Sequence, residues 1–177
     1  MAKVLIIIPH DRFRDEEFES VYNLLMQNGH IIYVGSNHHT EAKGDFGLLV
    51  KPDINISFVE PEDFDVYVFI GGRGVEEYFT ESSIHNLIRN AYQSRKMIAA
   101  IGTAVELLVF SGIINGKRIT CHPSIIANVQ SAGAYYTGRI VEIDGDIITA
   151  TDVRAKDDFS RTILKAISHI DSKGGLR

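Results

Sequence analysis

An open, mostly parallel α/β sheet covered by helices on both faces is the fold this sequence predicts, and three observations predict it. Short runs rich in valine and isoleucine recur without polar alternation, as strands buried on both faces require. Stretches of helical period separate them. The connections between the two kinds of element are short, so successive strands join through helical crossovers.

Each element follows from local pattern. The strand runs are residues 3–8, 31–34, 66–70 and 97–101. The opening MAKVLIIIPHDR holds too short an apolar run for a signal peptide or membrane span and reads as the first buried strand. Asn28-Gly29 closes the first helix, where a glycine cap belongs. Residues 44–58 read as an irregular or hairpin piece. Ile84, Leu87, Ile88, Ala91 and Tyr92 form one core-facing helical stripe, and Phe159, Ile163, Ala166, Ile167 and Ile170 form another. Asp144-Gly145 lies between two β-like runs and predicts a hairpin. At 177 residues, 45% hydrophobic and 23% charged, the chain suits one domain over 1–177.

Composition excludes several function classes. A net charge of −5, with no Lys/Arg block longer than two, argues against nucleic acid as the main partner. Cys121 is the only cysteine, so no intrachain disulfide can form, and a cytoplasmic protein without membrane attachment is expected. No metal or organic cofactor is indicated. His38, His39 and Glu41 share a polar loop but lack a third spaced ligand beyond them.

Ligands in such folds gather outside the carboxyl ends of the strands, so the residues just after each strand carry the candidates. After the first strand, Asp15, Glu16 and Glu17 crowd the first helical turn. Asp15 and Glu16 complement the helix dipole. Glu17 instead shares the inward arc of Phe18, Val21, Leu24 and Leu25, and an inward carboxylate near a strand end points to function. In IGGRG, Gly71, Gly72 and Gly74 suit either an oxyanion-type backbone donor or a simple turn, and match no phosphate-loop pattern. In AAIGTAVELL, Thr103 is expected as an N-cap or first-turn residue whose backbone N–H suits an anion. Cys121 and His122 resemble a nucleophile and base, but adjacent strand residues face opposite ways, and a lone cysteine is most often a small buried hydrophobe.

Several of these segments, in this order, resemble the PfpI/ThiJ superfamily. FRDEEFESVYNLLMQNGH is similar to its F-E-D-x-E segment and first helix. EDFDVYVFIGGRG is similar to its D-x-L-V-L-P-G-G strand and loop. KMIAAIGTAVELLVFSGIINGKRITCHPS resembles its nucleophile-elbow strand and helix, with the turn and T-x-x-P segment that follow. SAGAYYTGRIVEIDGDIITA resembles its A-G-A-x-Y…D-G-x-L-I-T-S region.

The resemblance implies a three-layer α/β sandwich of flavodoxin-like, class I glutamine amidotransferase-like type. It implies catalytic-site positions at Glu17 and His122, and backbone oxyanion donors at Gly72 and Thr103. The family's nucleophilic cysteine falls on Gly102, and Asp152-Val153-Arg154 replaces an R-G-P-like turn. A homodimer or higher homo-oligomer is implied too. Two functions follow from these residues. One is a non-catalytic member that binds a small molecule. The other is a Glu17-dependent hydrolase, lyase or hydratase that acts on a small carbonyl compound or peptide without a thiol intermediate. A Cys121-dependent activity is a further alternative.

Overall fold

Along each central strand, successive side chains point to opposite faces, and here both sets are apolar. In β1 (Lys3–Ile7), Leu5 and Ile7 enter one buried cluster while Val4 and Ile6 enter the other. Tyr67 and Phe69 divide from Val66 and Val68 in the same way. Such a strand must be covered twice, and it is. The helices α1 (Asp15–Gln27) and α5 (Lys156–Gly174) cover one face. The helices α2 (Ser82–Gln93), α3 (Val105–Ser111) and α4 (Ile126–Ser131) cover the other. The computed structural model describes residues 1–174.

The remaining strands, in chain order, are β2 (Asp11–Phe13), β3 (Ile31–Ser36), β4 (Ala42–Gly44), β5 (Leu49–Val50), β6 (Ile54–Asn55) and β7 (Val66–Phe69), then β8 (Met97–Ile101), β9 (Arg118–Ile119), β10 (Tyr135–Tyr136), β11 (Val141–Asp144) and β12 (Ile147–Ala150). Seven build the central sheet in the order β11-β12-β8-β7-β1-β3-β6. All neighbours there are parallel except β11 and β12, the hairpin expected at Asp144-Gly145. The chain leaves β1 for β3 on one side and returns to β7 on the other. This order reversal opens a crevice beyond the ends of β1 and β7. A small sheet, β2-β4-β5, stands beside it.

The expected strands are present within one or two residues of their predicted ends, and the 44–58 piece holds the turn and second strand of a β4–β5 hairpin that starts at Ala42, then β6 and a 3-10 turn at Ile56–Phe58. Two expectations need correction. Ile170, placed in the core stripe of α5, is 40% exposed, because it lines an open surface pocket beside Met97 and the β11–β12 turn rather than entering the core. The strand before Cys121 is only two residues long and ends at Ile119, so neither Cys121 nor His122 lies on a strand. Among the described residues no helix is long and apolar enough to cross a membrane.

Candidate functional site

The ends of β1, β7, β8 and β12 converge on a cleft of about 520 Å³. Arg14, Glu17, Gly72, Gly102, Thr103, His122 and Asp152 are among its lining residues, so the resemblance-derived positions do meet in space. Phe46, on the β4–β5 hairpin, forms part of the rim.

Glu17 sits in the first turn of α1 and is only 4% exposed, whereas Glu16 is exposed. Its Oε2 accepts the Gly71 N–H at 2.9 Å. Burial pushes its pKa from 4.5 up to about 8, against the Gly71 hydrogen bond and the Arg14 charge, which lower it; Asp152 and Glu16 raise it further. The carboxyl is therefore mostly protonated at neutral pH. With Oε2 accepting from Gly71, the proton belongs on Oε1, the oxygen nearest the Gly102 side of the cleft.

Gly102 follows β8 and holds φ at +66°, a left-handed conformation that costs an L-residue about 1–2 kcal/mol and glycine almost nothing. A Cβ built on it would lie 3.3 Å from Glu17 Oε1, with Thr151 O next at 3.8 Å. The elbow thus turns toward the buried acid but carries no side chain to use.

Of the two places expected for Thr103, N-cap or first turn, the structure gives the second. The helix begins with a 3-10 turn, Gly102–Ala104, whose flanking residue is Ile101, so Thr103 already lies inside the turn and caps nothing. Its hydroxyl instead donates to Gly72 O at 3.0 Å and receives the Gly72 N–H at 3.2 Å. The backbone donor expected at Gly72 is thus already engaged. The Thr103 N–H, in the first turn, has no intrahelical partner and remains the available donor of the expected pair.

The Gly71–Gly74 loop packs against residues 11–14, which explains its glycines sterically. A Cβ at Gly72 would meet Arg12 O at 2.5 Å, and one at Gly74 would meet Asp11 O at 1.6 Å. Arg14 N–H donates to Gly71 O at 2.9 Å, locking the two segments together.

His122 reaches the cleft, and its Nδ1 accepts the Ser124 N–H at 3.1 Å. The same Nδ1 lies 2.7 Å from Ser124 Oγ, so Ser124 fixes the ring's orientation at the cleft. Cys121 faces away, fully buried in the α2–α4 core cluster. Burial, with Glu106 nearby, pushes its thiol up to about 12. The two side chains diverge, as expected, but because the chain turns out of β9 rather than through strand alternation. His38 packs tilted against His10, 4.5 Å between ring centroids, and Glu41 is exposed. The described residues hold no group of three His, Cys, Asp or Glu placed to bind a metal.

Sequence reasoning missed two features. Asp15 is buried, and its two oxygens accept the backbone N–H groups of Phe46 and Leu48 at 3.0 and 2.9 Å. It fastens the rim hairpin rather than merely complementing the helix dipole. Arg14 stacks over the Phe46 ring, 4.8 Å from guanidinium carbon to centroid. The glycine-rich D-F-G turn at 45–47 is the only local hint of either contact.

Comparison with known proteins adds the family. The sequence profile of the DJ-1/PfpI family matches residues 2–166. The chain belongs to the DJ-1/PfpI family. An uncharacterized protein of Methanocaldococcus jannaschii is 33% identical over 169 residues, covering 94% of this chain and 82% of that one. A deglycase of Pyrococcus horikoshii is 28% identical over 148 residues, covering 84% and 89%. Among solved structures, DJ-1beta of Drosophila melanogaster superposes with a TM-score of 0.82 at 26% identity, covering 91% of this chain and 87% of that one. A ThiJ/PfpI domain protein from Brachyspira murdochii reaches 0.91 at 23% identity, covering 94% and 96%, a likeness of fold. The DJ-1/PfpI fold is thus the three-layer sandwich that the sequence predicts.

Proposed function

We propose that this member of the family uses its cleft to bind a small polar molecule without covalent catalysis. One observation carries the reading: at the end of β8, where the cleft comes nearest the Glu17 carboxyl, the chain offers glycine. A covalent intermediate needs a side-chain nucleophile, and Gly102 has none. Cys121, the one thiol, is buried elsewhere with its ionisation suppressed. The Thr103–Gly72 contact supports the same reading, because it uses a backbone donor that an oxyanion would need. A neutral Glu17 and the Thr103 N–H remain as donors for an uncharged or anionic oxygen.

A second reading has support in the raised pKa of Glu17, which suits a general acid, and in the relatives named deglycases. It makes the chain an acid–base hydrolase or lyase acting on small carbonyl compounds. Incubation with methylglyoxal separates the two. The binding reading expects no turnover by the wild type. Turnover that Glu17→Gln abolishes overturns it in favour of acid–base catalysis. Turnover lost on thiol blockade overturns it in favour of Cys121.

A further inference from the structure

The charges around the cleft cancel in pairs, with one exception. Arg73 is paired with Asp45 at 2.9 Å, and Arg154 with Asp152 at 2.7 Å. Burial keeps Glu17 neutral, so it balances no cation. Arg14 is the exception. Its one ionic contact among the described residues is a 3.4 Å approach of Nη2 to Glu16, whose side chain is 46% exposed and screened by water. Its Nε is buried without a hydrogen-bond partner, a costly arrangement for part of a charged group.

The same guanidinium is held in place. It lies over the Phe46 ring, and Asp15 fastens the hairpin carrying that ring. A cation whose Nε is buried, whose guanidinium is held in place and whose one ionic partner is a solvent-exposed carboxylate fits an anionic ligand at a cleft wall. Arg14 flanks the start of α1 and Glu17 follows three residues later, so the two lie one turn apart on one side of the helix. A guanidinium fork matches the plane of a carboxylate. One turn further in, a protonated carboxyl can donate to an oxygen on the next carbon of the same molecule.

We propose that the cleft takes a small carboxylate bearing an oxygen on the adjacent carbon, a 2-oxo or 2-hydroxy acid, with its carboxylate on Arg14 and that oxygen bonded to Glu17. The proposal rests on the small-molecule-binding reading and names its ligand class. It also gives Glu17 its partner. Around that carboxyl stand Arg14 and Glu16 on α1, the Gly71 N–H of the loop and Asp152 beyond β12. When Glu17 ionises, a second negative charge faces the ligand and weakens binding.

Titration calorimetry with pyruvate, its methyl ester and inorganic phosphate tests this, on the wild type, Arg14→Gln and Arg14→Lys. Amide chemical shifts of Gly102 and Thr103 locate the bound molecule. Pyruvate is expected to bind and to shift both amides. Arg14→Gln is expected to lower its affinity about tenfold or more, and Arg14→Lys to lower it less, because it keeps the charge and loses the fork. The uncharged ester should bind weakly and equally to all three. Raising the pH from 7 to 9 should weaken pyruvate in the wild type.

Melting curves of both variants check that the fold is intact, and Arg14→Lys keeps the test valid if Arg14→Gln unfolds. Equal pyruvate affinity in wild type and Arg14→Gln, or an ester that binds as tightly as the acid, overturns the proposal and leaves the small-molecule reading standing. Phosphate binding more tightly than pyruvate overturns the carboxylate class alone. If pyruvate, lactate, the ester and methylglyoxal all leave the Gly102 and Thr103 amides unmoved, both the proposal and the reading beneath it fall.

Discussion

Replacing Glu17 with glutamine should stabilise the protein, and by an amount that depends on pH in a defined way. In the unfolded chain the carboxyl ionises near its ordinary value of 4.5; in the folded protein it holds its proton up to about pH 8. Between those values folding requires the unfolded carboxylate to take up a proton, so stability falls as pH rises. The slope is about 1.4 kcal/mol per pH unit. The loss is therefore about 3 kcal/mol at pH 7 and approaches about 5 kcal/mol at pH 8 and above, an order-of-magnitude figure. Below pH 4.5 the carboxyl is neutral in both states and costs nothing. Glutamine has nearly the same shape, can accept the Gly71 N–H, and never ionises. The assay is urea unfolding of wild type and Glu17→Gln at half-unit steps from pH 4.5 to 8.5. The two stabilities should nearly coincide at the acid end and diverge steadily in favour of the variant as pH rises. Titrating groups remote from the cleft contribute alike to both proteins, so the difference reports Glu17 with its charged neighbours Arg14, Asp152 and Glu16. A difference that stays flat across that range refutes the buried neutral acid, and a variant that becomes relatively less stable as pH rises refutes the sign.

Thr103→Val keeps the volume but leaves the Gly72 N–H and C=O without their partner, and should cost about 1–3 kcal/mol in unfolding free energy, with Thr103→Ser recovering most of it. Asp15→Ala frees two backbone N–H groups of the rim hairpin; amide exchange at Phe46 and Leu48 should accelerate at least tenfold while exchange in β7 and β8 stays slow. Unchanged protection would show that the hairpin is held by something other than Asp15. Cys121 should resist a thiol reagent in the native protein and react on unfolding, because it is fully buried and its thiolate is disfavoured; fast native labelling would contradict its placement.

Much of the fold was legible in the sequence because burial on two faces leaves strands no room for polar alternation. Glu17 was legible for a related reason: a 100° rotation per residue places it among Phe18, Val21, Leu24 and Leu25, and the structure buries it with all of these except the half-buried Leu24. What the pattern leaves open or misreads shares a cause. Pattern alone offers Thr103 as a cap or a first-turn residue; the helix starts one residue earlier in a 3-10 turn, which selects the second and frees the hydroxyl for Gly72. Asp15 looked like a dipole partner because its real partners, Phe46 and Leu48, lie about thirty residues along the chain. The spacing of Gly71, Gly72 and Gly74 fits either a backbone donor or a simple turn, and what decides their need for glycine is distant: residues 11–14 close the Cβ positions of Gly72 and Gly74, and Ile101 O closes that of Gly71. Periodicity reads one element at a time. Contacts between segments distant in sequence leave no such periodic trace.

The first turn of α1 constrains how this protein can change. Arg14, Asp15 and Glu17 serve the rim cation, the hairpin fastening and the buried acid, and one helical turn sets all three. A single residue inserted or deleted just before that turn would move every one of them, so the segment should accept substitutions far more readily than length changes. The β4–β5 hairpin has the opposite freedom. Its tip is tied to the helix through backbone N–H groups, which any residue except proline supplies. Variants can therefore exchange the side chain at residue 46, and with it the shape of the cleft entrance, while the acid at the base stays where it is.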